Sequence, residues 1–117
     1  MLLIGLVVFI SASYGNDLRI VAKQWEQAPG YAAGVQISSL DWPTINAHGR
    51  IAFRGGVLDG SVYSSAIWAG TPPNLVPIVK QGDVAPGANP GEVFCNFSFL
   101  NPIVRPIVAE DNAVAFR

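Results

Sequence analysis

"INAHGRIAFR", residues 45–54, is the stretch of sequence that decides the fold. Asn46 and Gly49 stand three positions apart, a spacing that suits a tight turn with one residue at positive φ. After this turn, Ile51 and Phe53 alternate onto one face, which is the pattern of a half-buried strand. The stretch therefore predicts a turn that leads directly into a β-strand.

Further strands are predicted on the C-terminal side of this one. Asp59-Gly60 is the strongest type of short hairpin signal, and the β-rich residues after it run to Trp68. "NLVPIVKQ", residues 74–81, predicts another strand, in which Pro77 requires an edge position or a bulge because proline cannot donate to a ladder. "EVFCNFSFL", residues 92–100, alternates so that one face is wholly apolar. That predicted face consists of Val93, Cys95, Phe97 and Phe99.

The end of the chain repeats its middle. "AEDNAVAFR", residues 109–117, matches residues 46–54 at a spacing of 63 positions. "LVPIVKQGDVAPG", residues 75–87, matches "LRIVAKQWEQAPG", residues 18–30, at a spacing of 57 positions. The difference of six residues predicts an insertion in or shortly after "GANPGEV", residues 87–93, where a Gly/Pro-rich loop lengthens at little entropic cost.

A repeated unit of about sixty residues predicts a repeat architecture. We expect an all-β fold over residues 16–117, made of two tandem repeats at about 18–74 and 75–117, the second incomplete. Four short antiparallel strands per repeat is the size of a propeller blade, so the fold class is a partial, propeller-blade-like structure, with a compact β-sandwich as the alternative. The structural motif positions are Asn46, Gly49, Ala52, Phe53, Asn112, Ala115 and Phe116.

These residues resemble a known family. "NAHGRIAF" fits the NxxGxxAF signature of the bacterial choice-of-anchor tandem-repeat NxxGxxAF-containing proteins, and "AIWAGTPPNLVPIVKQGDVAPG" is similar to the segment that follows it in their repeats. The resemblance covers residues 18–117. It implies an exported, surface-associated protein of propeller-like β repeats, often with a C-terminal anchoring segment, and it implies no known activity.

The second copy departs from the family signature at two positions. Ala109 stands where the first copy has Asn46, and Asn112 stands where the first copy has Gly49. Asparagine tolerates a left-handed backbone, so the second turn is expected to form nonetheless. The chain also ends in a predicted strand and shows no anchoring segment, which suggests a truncated member of the family.

The first fifteen residues are interpreted as a secretory leader. The apolar run from Leu2 to Ile10 is shorter than the roughly 20 residues that cross a bilayer, and Ser13 and Gly15 suit cleavage before Asn16. A buried apolar strand is the alternative. The expected location is therefore secreted or cell-surface, with membrane contact only through the leader or a missing anchor.

Composition excludes several kinds of partner and chemistry. Charged residues make up 13% of the chain, the net charge is −1 and no basic cluster exists, which argues against binding to nucleic acid. We identify no catalytic, cofactor or metal residues and expect no cofactor. His48, the only histidine, is interpreted as a solvated turn residue, and the lone Cys95 as a buried apolar side chain. Turn-forming aspartates are expected at Asp41, Asp59, Asp83 and Asp111.

Two functional hypotheses remain from the sequence. The first is an exported structural or interaction module, which is not an enzyme and whose partners are further repeats or other copies of itself. The second is a secreted carbohydrate-binding or hydrolase-associated domain. Trp25, Trp42 and Trp68 are interpreted as packing residues, and an aromatic sugar platform is the alternative.

Overall fold

The chain is folded as β-structure throughout the part that the structure describes. The computed structural model describes residues 6–10, 18–95 and 105–116, and these contain no helix, so the all-β prediction is confirmed. The strands are β1 Leu6–Ile10, β2 Leu18–Lys23, β3 Gln36–Ile45, β4 Ile51–Asp59, β5 Val62–Thr71, β6 Asn74–Lys80, β7 Ile107–Val108 and β8 Val114–Ala115.

The centre of the fold is a four-stranded antiparallel sheet in the order β3-β4-β5-β6. The predicted hairpin at Asp59-Gly60 joins β4 to β5, with Asp59 opposite Val62 and Gly60 at φ +60°. Two shorter antiparallel sheets, β1-β2 and β7-β8, flank it in sequence. The central sheet crosses the predicted boundary between the two repeats, because β6 begins at Asn74.

Pro77 occupies the position that its chemistry requires. It lies in β6, an edge strand, and the register shifts beside it because Ile67 opposes Val79 while Trp68 opposes Pro77. The extra residue changes which face the following side chains occupy. Leu75 therefore packs in the same cluster as Trp68, whereas Val79 packs with Ile67 on the opposite face. Both parts of the prediction for Pro77, edge strand and bulge, are confirmed.

The first face of the central sheet, which we call the Trp68 face, holds the largest core. Trp68 is fully buried, its ring stacks on Phe53 with 5.4 Å between centroids, and its Nε1 donates to the Pro29 carbonyl at 3.0 Å. The preceding chain covers this face with Ala22 from β2 and with the loop that follows β2. The other buried members of the cluster are Ala28, Val35, Ile37, Ile51, Val57, Ala66 and Leu75.

The opposite face, which we call the Ile67 face, is covered by the C-terminal part of the chain. Phe94 and Phe116 pack against Ile67 and Val79, and Val108 and Val114 pack against Ala52 and Ala69. Both faces of the sheet are therefore buried between layers. This explains why β5 reads as a nearly continuous buried run over its second half.

Arg54 lies within this second interface with only 1% of its side chain exposed. Its Nη2 is 3.5 Å from an Asp41 carboxylate oxygen on β3. Asp41 was expected in a turn, and that prediction is wrong, because Asp41 pairs across the sheet with Arg54. Burial of a guanidinium is costly unless an anion lies nearby, and Asp41 on β3 supplies that negative charge.

Two loops have the same backbone hydrogen bonds. The Trp25 N–H donates to the Ile37 carbonyl at 2.8 Å, and 57 positions later the Gly82 N–H donates to the Phe94 carbonyl at 2.8 Å. Five further bonds of the first loop recur at the same spacing. Their donors are Glu26, Ala28, Tyr31, Val35 and Ile37 in the first loop, and Asp83, Ala85, Ala88, Glu92 and Phe94 in the second. The spacing of 57 thus holds as far as Phe94.

The pairing within β1-β2 also recurs in β5-β6. The register shifts between Val7 and Val8 in the first ladder and between Ile67 and Trp68 in the second. Every residue of β2 in the first ladder lies 57 positions before its counterpart on β6. In both ladders two residue pairs precede the bulge, the bulge lies at the same place, and the register after it is the same.

The pairing within β7-β8 recurs from the start of β3-β4. Ile107 opposes Ala115, and Thr44 opposes Ala52 at positions 63 residues earlier. The short C-terminal sheet has the register of the first two strands of the central sheet.

The sequence misplaced several apolar residues. Cys95 and Val93 are exposed, and Phe94 is the residue that faces the core, so the predicted apolar face is reversed in the described residues 92–95. Phe97 and Phe99 lie outside the described residues. Trp25 and Trp42 are 42% and 38% exposed, and both have positive φ, Trp25 at a turn and Trp42 at a bulge in β3.

Part of the predicted leader lies in a strand. Residues 6–10 form β1 and pair antiparallel with β2. An apolar strand was the alternative interpretation of this run, and the leader interpretation stays a prediction. No helix in the described residues is long and apolar enough to cross a membrane.

Candidate functional site

Two matching turns lie against each other beside the central sheet. The first turn, Asn46–Arg50, joins β3 to β4, and the second, Ala109–Ala113, joins β7 to β8. In each turn the first N–H donates to the fifth carbonyl, at 3.0 and 2.9 Å, and the fourth N–H donates to the first carbonyl, at 3.1 and 3.0 Å. Gly49 has φ +77° and Asn112 has φ +69°, so the prediction of a left-handed residue is confirmed in both turns.

The side chain of Asn46 joins the two turns. Its Oδ1 accepts hydrogen bonds from the N–H groups of His48, at 3.0 Å, and Arg50, at 2.9 Å. Its Nδ2 donates to the Ala109 carbonyl and to the Asn112 Oδ1, both at 2.9 Å. Asn46 is 7% exposed, and an amide offers two donors and one oxygen with two lone pairs. All four hydrogen-bonding positions of this buried amide are used.

A weaker set of contacts surrounds this amide at the surface. The Ala47 N–H donates to the two carboxylate oxygens of Glu110, at 3.2 and 3.3 Å. His48 Nε2 lies 3.9 Å from the same carboxylate, and both side chains are about two-thirds exposed. Such an exposed pair contributes little to stability, because water and salt screen it. The exposed position of His48 confirms its interpretation as a solvated turn residue.

Below the turns, three of the four apolar motif residues lie in the interfaces between layers. Ala52 is fully buried against Ala69 and Val108, on the Ile67 face. Phe116 contacts Phe94 with 5.8 Å between ring centroids. Ala115 is exposed, although it occupies the same position in its turn and strand as Ala52. The motif residues of the first copy are thus more deeply buried than those of the second.

A second polar cluster joins the loop after β2 to β6. Lys80 Nζ donates to the Gly30 carbonyl at 3.2 Å and lies 4.2 Å from the centroid of the Tyr31 ring. Burial raises the pKa of the Tyr31 hydroxyl to about 12, and the negative charge of Asp83 adds to the shift. The ammonium group is therefore held by a carbonyl and an aromatic face that is uncharged at neutral pH.

The described residues hold neither a group of metal-ligating side chains nor a shared platform of the three tryptophans. Across residues 6–10, 18–95 and 105–116, no three His, Cys, Asp or Glu side chains are grouped so that they could hold a metal ion. Trp68 is buried, and one face of Trp42 lies under the guanidinium of Arg105 at 3.7 Å. The three tryptophans therefore cannot form one open platform for a sugar.

Sequence reasoning identified Asn46 and its partner Asn112 as motif residues but missed three other polar contacts. Glu110, Arg105 and Lys80 were not singled out, although each contacts a residue of the other repeat copy or of a preceding loop. The spacing of 63 between Asn46 and Ala109 was the available signal. It predicts equivalent turns but does not by itself place them in contact.

The chain is a layered β-protein in which Asn46 connects two turns and Lys80 connects β6 to the loop after β2. The family model of a family of unknown function, DUF7453, matches residues 6–117. The chain therefore belongs to the DUF7453 family. No curated protein and no solved structure matches it.

Proposed function

We propose that this protein is a structural and interaction module of an exported or cell-surface protein, built from tandem four-stranded β repeats. The contact between Asn46 and Ala109 is the observation that carries the proposal. The two residues hold equivalent positions 63 residues apart, and the amide of the first binds the carbonyl of the second. Contact between equivalent positions of successive units is the hallmark of a stacked repeat.

The backbone supports a repeat that is defined by its strands. Residues 24–80 form one complete period, which consists of a loop followed by β3, β4, β5 and β6. The ladder β1-β2 has the register of the last two strands of this period, and β7-β8 has that of the first two. In the proposed architecture each sheet is a propeller-like blade that packs on the next.

The packing between layers also recurs. Ala22 of β2 lies in the core with Phe53, and Val79 of β6 packs with Phe116. The first members of these pairs are 57 positions apart and the second members 63 positions apart. Each sheet therefore presents residues at the same two positions to its neighbour, which supports a modular function based on packing surfaces.

A tandem insertion tests the modular architecture. We insert a second copy of residues 24–80 after Lys80 and compare it with an insertion of the same residues in scrambled order. A modular protein accommodates the extra period as another layer, so the denaturant m-value rises by about half, in proportion to the added buried surface. An m-value equal to that of the parent, or rapid proteolysis of the inserted copy, would overturn the repeat architecture.

A reporter fusion tests the export part of the proposal. The apolar run at residues 2–10 and the resemblance to anchored repeat proteins support export. We expect that the full chain fused ahead of a phosphatase that is active only outside the cytoplasm gives activity, and that deletion of residues 2–10 abolishes it. Activity that survives the deletion, or a fusion found only in the cytoplasm, contradicts export through this segment.

A further inference from the structure

We infer that Trp25 is the centre of a carbohydrate-binding site, at which the indole stacks on a pyranose ring of a neutral β-1,4-linked glycan. Trp25 lies in the turn that follows β2, at the surface of the molecule. The inference goes beyond the proposed repeat architecture and does not depend on it, since it concerns one side chain and its neighbours in a single loop.

The first argument is that the backbone at this turn does not require a tryptophan. Trp25 has φ +69°, and Gly82, which holds the same position 57 residues later, has φ +91°. Their N–H groups donate to the carbonyls of Ile37 and Phe94, both at 2.8 Å. Positive φ is unfavourable for a bulky side chain, whereas glycine adopts it freely. The first loop therefore holds a strained residue where the second loop uses an unstrained one.

The second argument is that packing within the described residues does not account for this strain. Trp25 is 42% exposed and belongs to none of the apolar clusters of that part of the chain. Trp42 also has positive φ, but its ring is covered by the guanidinium of Arg105 at 3.7 Å. Strained residues concentrate at sites that contact ligands. The exposed indole of Trp25 is therefore a candidate ligand contact.

The third argument is the polar surroundings of this tryptophan. Gln36 Nε2 donates to the Trp25 carbonyl at 3.0 Å, so a surface amide is fixed at the residue that carries the indole. Lys23 and Glu26 form an ion pair across the same turn, with 2.6 Å between Nζ and Oε1. In the second loop glycine stands at the position of Trp25 and Val93 at that of Gln36. The indole and the amide are thus present together in one loop and absent together in the other.

These features favour a sugar over other ligands that stack on an indole. A pyranose has an apolar face of C–H groups and a rim of hydroxyl groups, which match an aromatic ring with amide and charged groups around it. A nucleic acid would require a basic surface, whereas this chain has a net charge of −1 and no basic cluster. Lys23 and Glu26 balance each other's charge, which favours a neutral glycan. Chains such as cellulose and chitin present flat faces of successive rings to an exposed turn.

Titration of the full-length chain with cellohexaose and, separately, with chitohexaose tests the site. Binding is followed by the NMR signals of the three indole N–H groups, and the two sugars distinguish a glucan from an N-acetylated glycan. We expect at least one of them to shift the signal of Trp25 while that of the buried Trp68 stays in place. Trp25→Gly removes the ring at a position where glycine suits the backbone, and it is expected to lower the affinity at least about tenfold.

The matched control is Trp42→Gly, since Trp42 also combines an exposed indole with positive φ. This variant is expected to bind the sugar as tightly as the parent. Circular dichroism verifies that each variant folds, and Trp25→Asn replaces Trp25→Gly if the glycine variant does not, because asparagine also accepts positive φ. The inference is overturned if the parent binds neither sugar, if the Trp25 variant keeps the affinity of the parent, or if Trp42→Gly loses as much.

Discussion

Replacement of Asn46 by alanine removes the buried amide that joins the two turns. Asn46→Ala deletes two hydrogen bonds within its own turn and two to the neighbouring turn, while the surrounding backbone groups stay in place. Because the site is 7% exposed, water cannot fully replace the lost partners. We therefore expect a loss of stability well above that of a surface substitution.

The magnitude follows from the number of bonds. Each hydrogen bond contributes about 1 kcal/mol net, so four of them give a loss of about 4 kcal/mol in the free energy of unfolding. That is a large part of the roughly 5–15 kcal/mol that is typical of a domain. At about 4 °C per kcal/mol for a chain of this size, Tm is expected to fall by about 16 °C.

Asn46→Asp separates the two pairs of bonds. Its carboxylate keeps an oxygen for the N–H groups of His48 and Arg50 but directs a second oxygen at the Ala109 carbonyl. The bonds within the turn survive and the contact between turns is lost, so we expect a loss of about 2 kcal/mol. The control is Asn89→Ala, since the amide of the exposed Asn89 donates to the exposed Glu92 carboxylate, and we expect a change below about 0.5 kcal/mol.

Urea unfolding followed by tryptophan fluorescence measures these changes. A double-mutant cycle with Asn112→Gly isolates the bond between Asn46 and Asn112, because glycine accepts the positive φ while removing the side chain. We expect the two losses to overlap by about 1 kcal/mol. A stability of Asn46→Ala within about 0.5 kcal/mol of the parent, or strictly additive losses, would refute the role assigned to this amide.

Three further predictions follow from the core and the loop after β2. Trp68→Phe leaves the Pro29 carbonyl without its indole donor and should cost about 2 kcal/mol in urea unfolding; an unchanged midpoint contradicts the hydrogen bond. Gly55→Ala places a methyl group 2.5 Å from the Ser39 carbonyl oxygen, so thermal unfolding should show a loss of about 1–3 kcal/mol, and a rise in Tm would disprove the close approach. The pKa of Tyr31 is raised from 10.0 to about 12, so its contribution to the free energy of unfolding is complete below pH 10 and is lost as the pH rises towards 12. The free energy of unfolding of Tyr31→Phe should therefore fall less than that of the parent between pH 10 and 12, and parallel plots of stability against pH would contradict this.

The local parts of the fold were predictable from the sequence because they depend on residues with strong backbone preferences. Asp59-Gly60 predicted the hairpin, Gly49 the left-handed turn and Pro77 the edge strand with a bulge. Glycine permits positive φ, and proline fixes φ and removes a donor, regardless of the tertiary surroundings. Short-range chemistry was therefore sufficient for these elements.

The burial of individual side chains could not be predicted in the same way. Alternation in residues 92–95 defines two faces, but which face meets the core depends on a distant partner, and Phe94 rather than Cys95 packs against Ile67. Trp42 is displaced by a bulge in β3 that no local signal indicated. These outcomes are decided by packing between layers.

The same limit applied to the candidate site. The sequence marked Asn46 as a motif residue because of its spacing from Gly49. Its two partners in the second turn are 63 and 66 positions away, and only the stacking of one sheet on the next brings them within 2.9 Å. A repeat in sequence predicts equivalent structures but leaves their mutual orientation undetermined.

The bond from Asn46 to the second turn runs in one direction only. The Asn46 amide donates hydrogen bonds to the turn that follows it in the chain. Ala109 holds the same position in that second turn but has no side-chain hydrogen-bond donor. The contact between the two turns is therefore chemically asymmetric, with the donors on Asn46 and the acceptors in the second turn. Ala109→Asn is the single change that would place an equivalent side-chain donor in the second turn.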